Sequence, residues 1–248
     1  MLRQRDGKAG LAAFKKMAVS NSNSTSFRAK IRELLAHKEV EDVLKELGSL
    51  PIKRSLNGLL ACFYDKDPLV RWKAISVFGK LMGKLAEQDM EQARIMMRRL
   101  MWSLNDESGG IGWGAPEAMA EAMYNSRSLA DEYMRILLSY IREDGNFLEY
   151  PPLRTGALWG LARLSEKYPE MLRQIDASKY IAPYLGDETP EARVYAVIAL
   201  TNMNQNQYCE QIRDLLKDQT SANIFDGNSL KKVSVAEIAQ KALKSLGC

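Results

Sequence analysis

Histidine is nearly absent: His37 is the only one in 248 residues. A single imidazole cannot supply a His-based metal cluster, a His-Glu dyad or a Ser-His-Asp triad, so no metal and no catalytic residues are assigned. Cysteine is sparse as well. Cys62, Cys209 and Cys248 lie far apart, show no CxxC spacing and are odd in number. No disulfide framework is expected from them, and a reducing, cytoplasmic location is. No apolar run approaches the ~20 residues of a membrane span. Met1 to Lys16 also lacks the apolar stretch of a secretory signal.

What is present suits a folded chain. Hydrophobic residues make up 46% and charged residues 27%, enough for one sizeable core. The net charge of +4 is unevenly spread: residues 1–32 hold eight Lys/Arg against Asp6 alone, leaving 27 basic and 30 acidic residues elsewhere. Residues 1–26 read as a basic arm, with a short amphipathic stretch at Gly10–Val19 and a polar linker at Ser20–Ser26. That composition fits an organelle presequence or a mobile terminus that docks weakly. Residues 27–248 read as one domain.

From Phe27 onward the apolar spacing is helical. Phe27, Ile31, Leu34 and Leu35, then Val40, Val43, Leu44 and Leu47, predict an N-terminal capping helix that Gly48 stops. The block Asp65-Lys66-Asp67-Pro68-Leu69-Val70-Arg71-Trp72 opens another helix. Asp67 suits its cap, Pro68 its first position, and Val70, Ala74, Val77 and Leu81 form one apolar face. Related blocks follow around Arg154, Arg193 and Ala236. Aligning Arg71, Trp113, Arg154, Arg193 and Ala236 gives spacings of 42, 41, 39 and 43. That period matches two-helix repeats of ~40–47 residues. First helices are expected at Glu91–Leu104, at Ser128–Arg142 behind a Ser128–Asp131 capping box, at Asp176–Leu185 and at Gln207–Lys217. Ala74, Ala157, Ala196 and Ala239 fall where helices approach closely.

The Asp, Pro-x-Val-Arg, Ala and Leu pattern of these blocks resembles the HEAT-repeat superfamily, over about residues 51–247. The resemblance implies an all-α fold: an α-α superhelix, or solenoid, of about five HEAT-like helix pairs with an N-terminal capping helix. It further implies that second helices line the inner, concave face. Arg71, Arg154 and Arg193 occupy the repeat arginine position, which implies pairing with turn acids such as Asp67, Glu149 and Asp187. The HEAT-like enzyme deoxyhypusine hydroxylase depends on paired His-Glu motifs that are missing here. Phycobilin lyases also carry HEAT-like repeats, but no chromophore motif is present.

The third block departs from the pattern. Asp106-Glu107-Ser108-Gly109-Gly110-Ile111-Gly112-Trp113-Gly114-Ala115-Pro116 replaces the short turn. Such glycine density lets backbone approach a ligand or lets the chain turn tightly. One reading is an anion or peptide site, with amides at the start of the 115–126 helix facing the ligand and Trp113 as a platform. The other is a structural plug between repeats. It is no P-loop, because Lys-Ser/Thr is missing and a helix precedes it. Asp106, Glu107, Glu117 and Glu121 could hold a cation or a basic peptide, or form a solvated face. Trp72, Trp102 and Trp159 are expected to pack, and Cys62 to lie in the core.

The candidate binding residues are Glu107, Gly109, Gly110, Trp113, Glu117, Arg154 and Trp159. The function expected is a non-enzymatic protein-protein interaction scaffold or adaptor, with no cofactor and with another protein as partner. The alternative is a HEAT-like DNA-binding protein of the alkylation-repair glycosylase type. That resemblance implies a basic face with tryptophans and an acid, roles that Trp72, Trp113, Trp159 and Glu117 could fill. The acidic body disfavours nucleic acid, which demands a basic stripe. A third reading is regulation of a partner enzyme, steered by the basic arm. The oligomeric state stays open.

Overall fold

A computed structural model describes residues 24–105, 112–225 and 229–248. Helices α1 (Ser24–His37) and α2 (Val40–Gly48) form the N-terminal cap, two short helices where the apolar spacing predicts one. There follow α3 (Ile52–Leu60) with a 3-10 turn at Ala61–Tyr64, α4 (Pro68–Gln88), α5 (Met90–Leu104), α6 (Ala115–Asn125), α7 (Arg127–Ser139) and α8 (Pro151–Lys167). Then come α9 (Pro169–Gln174), α10 (Ala177–Ile181), α11 (Pro190–Asn202) and α12 (Cys209–Asp214). Strands β1 (Ser221–Phe225) and β2 (Leu230–Ser234) precede the last helix, α13 (Val235–Leu246).

Local chemistry accounts for the helix starts. Pro68, Pro151 and Pro190 open α4, α8 and α11, where a missing amide proton costs nothing. Asp67 caps α4 by accepting from the Leu69 amide at 2.9 Å. Helix α7 is capped by Ser126, which accepts from the Leu129 amide at 3.4 Å, so the cap lies two residues before the expected Ser128. The expected helix at Asp176–Leu185 is shorter: α10 passes into a 3-10 turn at Ala182–Gly186, beneath Pro183.

The long helices α4, α6, α8, α11 and α13 pack in sequence order, each against the next, as one layer. The remaining helices flank them. One apolar core runs from Ile31 to Leu246. Ala74, Ala157, Ala196 and Ala239 are fully buried, as close helix approach requires. Cys62 is buried and unpaired, and His37 is exposed.

Two features depart from expectation. The spacing around Ala236 predicts a helix over 232–246, whereas β1 and β2 form an antiparallel hairpin pairing Ser221 with Ser234 and Phe225 with Leu230, and the helix starts at Val235. Asp226-Gly227 between alternating apolar positions is the sequence signal for it. In addition, Cys209 and Cys248, 39 positions apart in sequence, are joined as a disulfide with Cα atoms 6.3 Å apart. Packing α12 against α13 brings them together, which spacing alone does not show.

Candidate functional site

The unusual turn in the third block delivers the chain into α6 through Gly114, which holds a left-handed φ of 73°. A Cβ there would also lie 3.2 Å from Phe63 and Ile75, so glycine is required on both counts. Trp113 then stands edge-on to Tyr150, ring centroids 5.6 Å apart. One turn into α6, Glu117 lies against α8 at Gly156. A Cβ on Gly156 would come within 2.6 Å of the Glu117 carboxyl carbon and Oε1. The glycine thus makes room for a carboxylate between two packed helices.

Phe63, Arg71, Trp72, Trp113, Glu117 and Leu153 line a cleft of about 120 Å³. Glu117 as a whole is half-buried, but its Oε2 is sealed from solvent and has no hydrogen-bond partner. Burial pushes its carboxyl pKa up to about 7, offset in part by its own backbone amide and by the Arg71 charge. Among the described residues, the Arg71 guanidinium makes no hydrogen bond or ion pair, with Glu117 or with any other group. The cleft therefore holds a guanidinium with no partner and one carboxylate oxygen, Glu117 Oε2, with none.

A second cavity of about 310 Å³ is bounded by Glu121, Trp159, Arg163, Tyr195 and Phe225 among others. Trp72, a wall of the smaller cleft, touches two of these residues. Its ring lies 4.7 Å from Trp159 and stacks on Phe225 at 5.3 Å with planes 8° apart. Strand β1 thereby packs onto the layer of long helices. Arg193 anchors the strand's base, donating to the Asp218 carboxylate at 2.8 Å and to Thr220 Oγ1 at 2.7 Å. In this cavity Glu121 is buried but matched. Arg163 Nε meets its Oε1 at 2.8 Å and Asn125 donates to its Oε2 at 3.4 Å. Burial pushes the Tyr195 hydroxyl pKa far up, and the charges of Glu191 and Glu117 add to the shift.

Of the sequence-predicted site residues, Trp113 and Glu117 share the smaller cleft, and Trp159 lines the larger cavity beside it. Glu107, Gly109 and Gly110 lie outside the described residues. Arg154 is not brought into either space. Its Nη1 donates to the carbonyls of Leu148 at 2.9 Å and Glu149 at 3.1 Å, closing the turn before α8, and its guanidinium lies 4.9 Å from the Phe147 ring.

The expected ladder of arginine and turn-acid carboxylates does not form. Arg193 takes the Asp187 carbonyl rather than its carboxylate, because Asp187 Oδ1 already accepts from the Thr189 amide at 2.8 Å. The Asp67 carboxylate is likewise occupied as a cap. Glu117 and Glu121 are not a solvated face, since both sit between helices. Trp102 does not pack: it is 81% exposed at the end of α5. Sequence reasoning also missed Arg71 as a cleft residue and Phe225 as a wall. Among the described residues no group of His, Cys, Asp and Glu could hold a metal ion. No helix among them is long and apolar enough to cross a membrane.

No protein-family model matches the chain. An uncharacterised protein of Archaeoglobus fulgidus is 25% identical over 186 residues, spanning 73% of this chain and 91% of that one. Among solved structures, a designed armadillo repeat protein in complex with the peptide (KR)4 superposes with a TM-score of 0.56 at 17% identity. It covers 91% of this chain and 95% of its own. A second designed armadillo repeat protein gives a TM-score of 0.54 at 16% identity, covering 93% and 97%. The fold is an all-α, armadillo-like repeat solenoid. At these identities the likeness concerns the fold alone.

Proposed function

We propose that the protein is a non-enzymatic interaction scaffold that binds an extended segment of a partner protein along its inner helical layer. One observation carries this reading: an uncommitted guanidinium and an uncommitted carboxylate share an aromatic-walled cleft on that layer. Leaving a buried polar atom such as Glu117 Oε2 without a partner costs on the order of 1–3 kcal/mol, and a ligand that satisfies it recovers that cost. The armadillo-like architecture supports the reading, since repeat stacks present extended binding surfaces. The (KR)4 complex of the designed armadillo protein shows a peptide bound to such a stack.

In this reading residues 27–248 form one HEAT-type repeat domain and residues 1–26 a separate basic arm. Trp113, Glu117 and Trp159 contribute to the surface, and Glu107, Gly109 and Gly110 of the glycine-rich stretch belong to the same proposed binding set. The cytoplasmic location expected from the sequence belongs to the same proposal and is tested by cell fractionation. The Cys209–Cys248 bridge bears against it, because reducing compartments keep such pairs open.

The test is co-purification from the native source, comparing wild type with a Trp113→Ala, Glu117→Ala double variant of matched thermal stability. A partner recovered with wild type and lost with the variant is the expected result. A partner kept by both removes the cleft from the interface, and no partner at all removes the scaffold reading.

The DNA-binding alternative draws on one observation, the meeting of Trp72, Trp113 and Glu117 in a single cleft. It requires salt-dependent duplex binding by the chain beginning at Ser26. Absence of that binding eliminates it.

A further inference from the structure

Hydrogen-bonding capacity and charge together restrict what the cleft between α4 and α6 can hold. Its polar complement is one guanidinium, Arg71, and one carboxylate, Glu117, which do not pair with each other. The remaining walls (Phe63, Trp72, Trp113 and Leu153) are apolar or aromatic, and the two indoles can add N–H donors but no acceptor. Arg71 offers only donors, and Glu117, ionised above its raised pKa of about 7, only acceptors. A ligand bridging the two must therefore donate at one end and accept at the other.

Net charge narrows the choice. The pair already balances to zero, so an ammonium head would leave an excess positive charge beside Arg71. A carboxylate would set a second negative charge against Glu117. Both outcomes are penalised in a narrow cleft walled by aromatic rings, where screening is weaker than in bulk water. A neutral group with a donor and an acceptor adds no charge. A primary carboxamide has two N–H donors and one carbonyl acceptor separated by a single carbon, and its few heavy atoms suit a cavity of about 120 Å³.

We propose that this cleft recognises a primary carboxamide, the side chain of an asparagine or glutamine in the bound partner segment. The carbonyl accepts from Arg71 and the amide N–H donates to Glu117. The inference rests on the reading of the inner layer as a partner-binding surface, and it names the side-chain class that the cleft selects. Selectivity follows from what other occupants leave undone. An apolar side chain of the same length would bury both polar groups unsatisfied, and discrimination of this kind is strong where a site is built to hydrogen-bond.

The experiment titrates the full chain at pH 8, where Glu117 is ionised, with four probes, Ac-Ala-Ala-X-Ala-Ala-N-methylamide, in which X is Gln, Met, Lys or Glu. The N-methyl cap removes the primary amide from the terminus. Indole fluorescence reports binding directly, because Trp72 and Trp113 are walls of the cleft, and calorimetry supplies the affinities. The Gln probe is expected to bind at least about fivefold more tightly than the Met probe, the equivalent of one net hydrogen bond. Arg71→Met is expected to abolish that preference. This variant keeps the fold, since Arg71 has no partner to lose among the described residues, and circular dichroism verifies it. Glu117→Met serves as the second variant and is expected to act in the same direction.

Tighter binding of the Lys or Glu probe overturns the inference. Equal binding of all four overturns carboxamide selection while leaving the inner layer as a peptide surface. Binding of none overturns the inference too, and the co-purification above then decides the scaffold reading separately. A Gln preference that survives in both variants places the recognition elsewhere and sinks the assignment to this cleft.

Discussion

Glu117 and Glu121 sit one turn apart on α6 and face different surroundings. Glu121 is buried beside Arg163, with both its oxygens engaged by neighbouring side chains. Its charge is matched, and the pair ties α6 to α8. Glu117 meets the bare backbone of Gly156 instead, and its Oε2 bonds to nothing. The first arrangement is what a stable stack requires of a buried charge. The second stores an unmet demand that a ligand can satisfy. Position on a helix face therefore does not separate structural from binding carboxylates; what lies opposite on the next repeat does.

The largest expected effect tests the matched half of this contrast. Arg163→Ala strips Glu121 of its cation and is expected to destabilise the protein by about 3 kcal/mol, as for other broken buried pairs. Arg71→Ala should cost less than about 0.5 kcal/mol, since it breaks no bond in the folded chain. Urea unfolding midpoints measure both, and equal losses would erase the distinction between the two sites.

Next in size is Gly156→Ala, which drives a methyl group into the Glu117 carboxyl. A loss of about 2 kcal/mol is expected. Combined with Glu117→Ala, most of that loss should disappear, giving a coupling measurable in a double-mutant cycle. Additive losses would mean that the two helices resist the methyl group elsewhere.

The pH dependence sharpens the contrast further. The Glu117 carboxyl is raised from 4.5 to about 7 in the folded chain, chiefly by burial. The folded state thus holds the proton more tightly than the unfolded state. Its contribution is complete below pH 4.5 and is lost as pH rises toward 7. Glu117→Gln should therefore stabilise the protein at pH 8 by on the order of 2 kcal/mol and leave it unchanged at pH 4. Thermal unfolding at the two pH values decides it, and a gain at pH 4 would contradict the burial account.

The smallest effect is expected at Trp102. Being exposed, it should tolerate Trp102→Ser within about 0.5 kcal/mol, whereas Trp159→Ala in the core should cost ~3 kcal/mol or more. Similar losses would place Trp102 in a contact beyond those of the folded monomer.

Much of the fold was legible along the chain. The recurrence of Pro68, Pro151 and Pro190 before apolar helical runs marks three of the five inner helices, and the Asp67 cap is visible in the residues themselves. The end of the second strand, 232–234, is hidden in the pattern because Val233 and Val235 fit the spacing of the helix that follows, although Asp226-Gly227 signals a turn. Half of the candidate site was legible. Trp113 and Glu117 stand out beside the glycine-rich turn, but Arg71 looks like any repeat arginine until its turn acids prove to be occupied by local amides. Arg154 looks identical to it and is spent on the turn before α8.

By itself, then, the sequence determines the helices, their caps and the repeat period of about 40 residues, because these depend on neighbours within a turn or two of the chain. Tertiary structure decides which carboxylate is matched and which is not. The partners lie one repeat away, as with Glu121 and Arg163, 42 residues apart. It also decides that Cys209 finds Cys248 and that Phe225 stacks on Trp72. Those choices depend on how repeats superpose, and superposition is set by close packing at small residues such as Gly156 and Ala157, not by any local pattern.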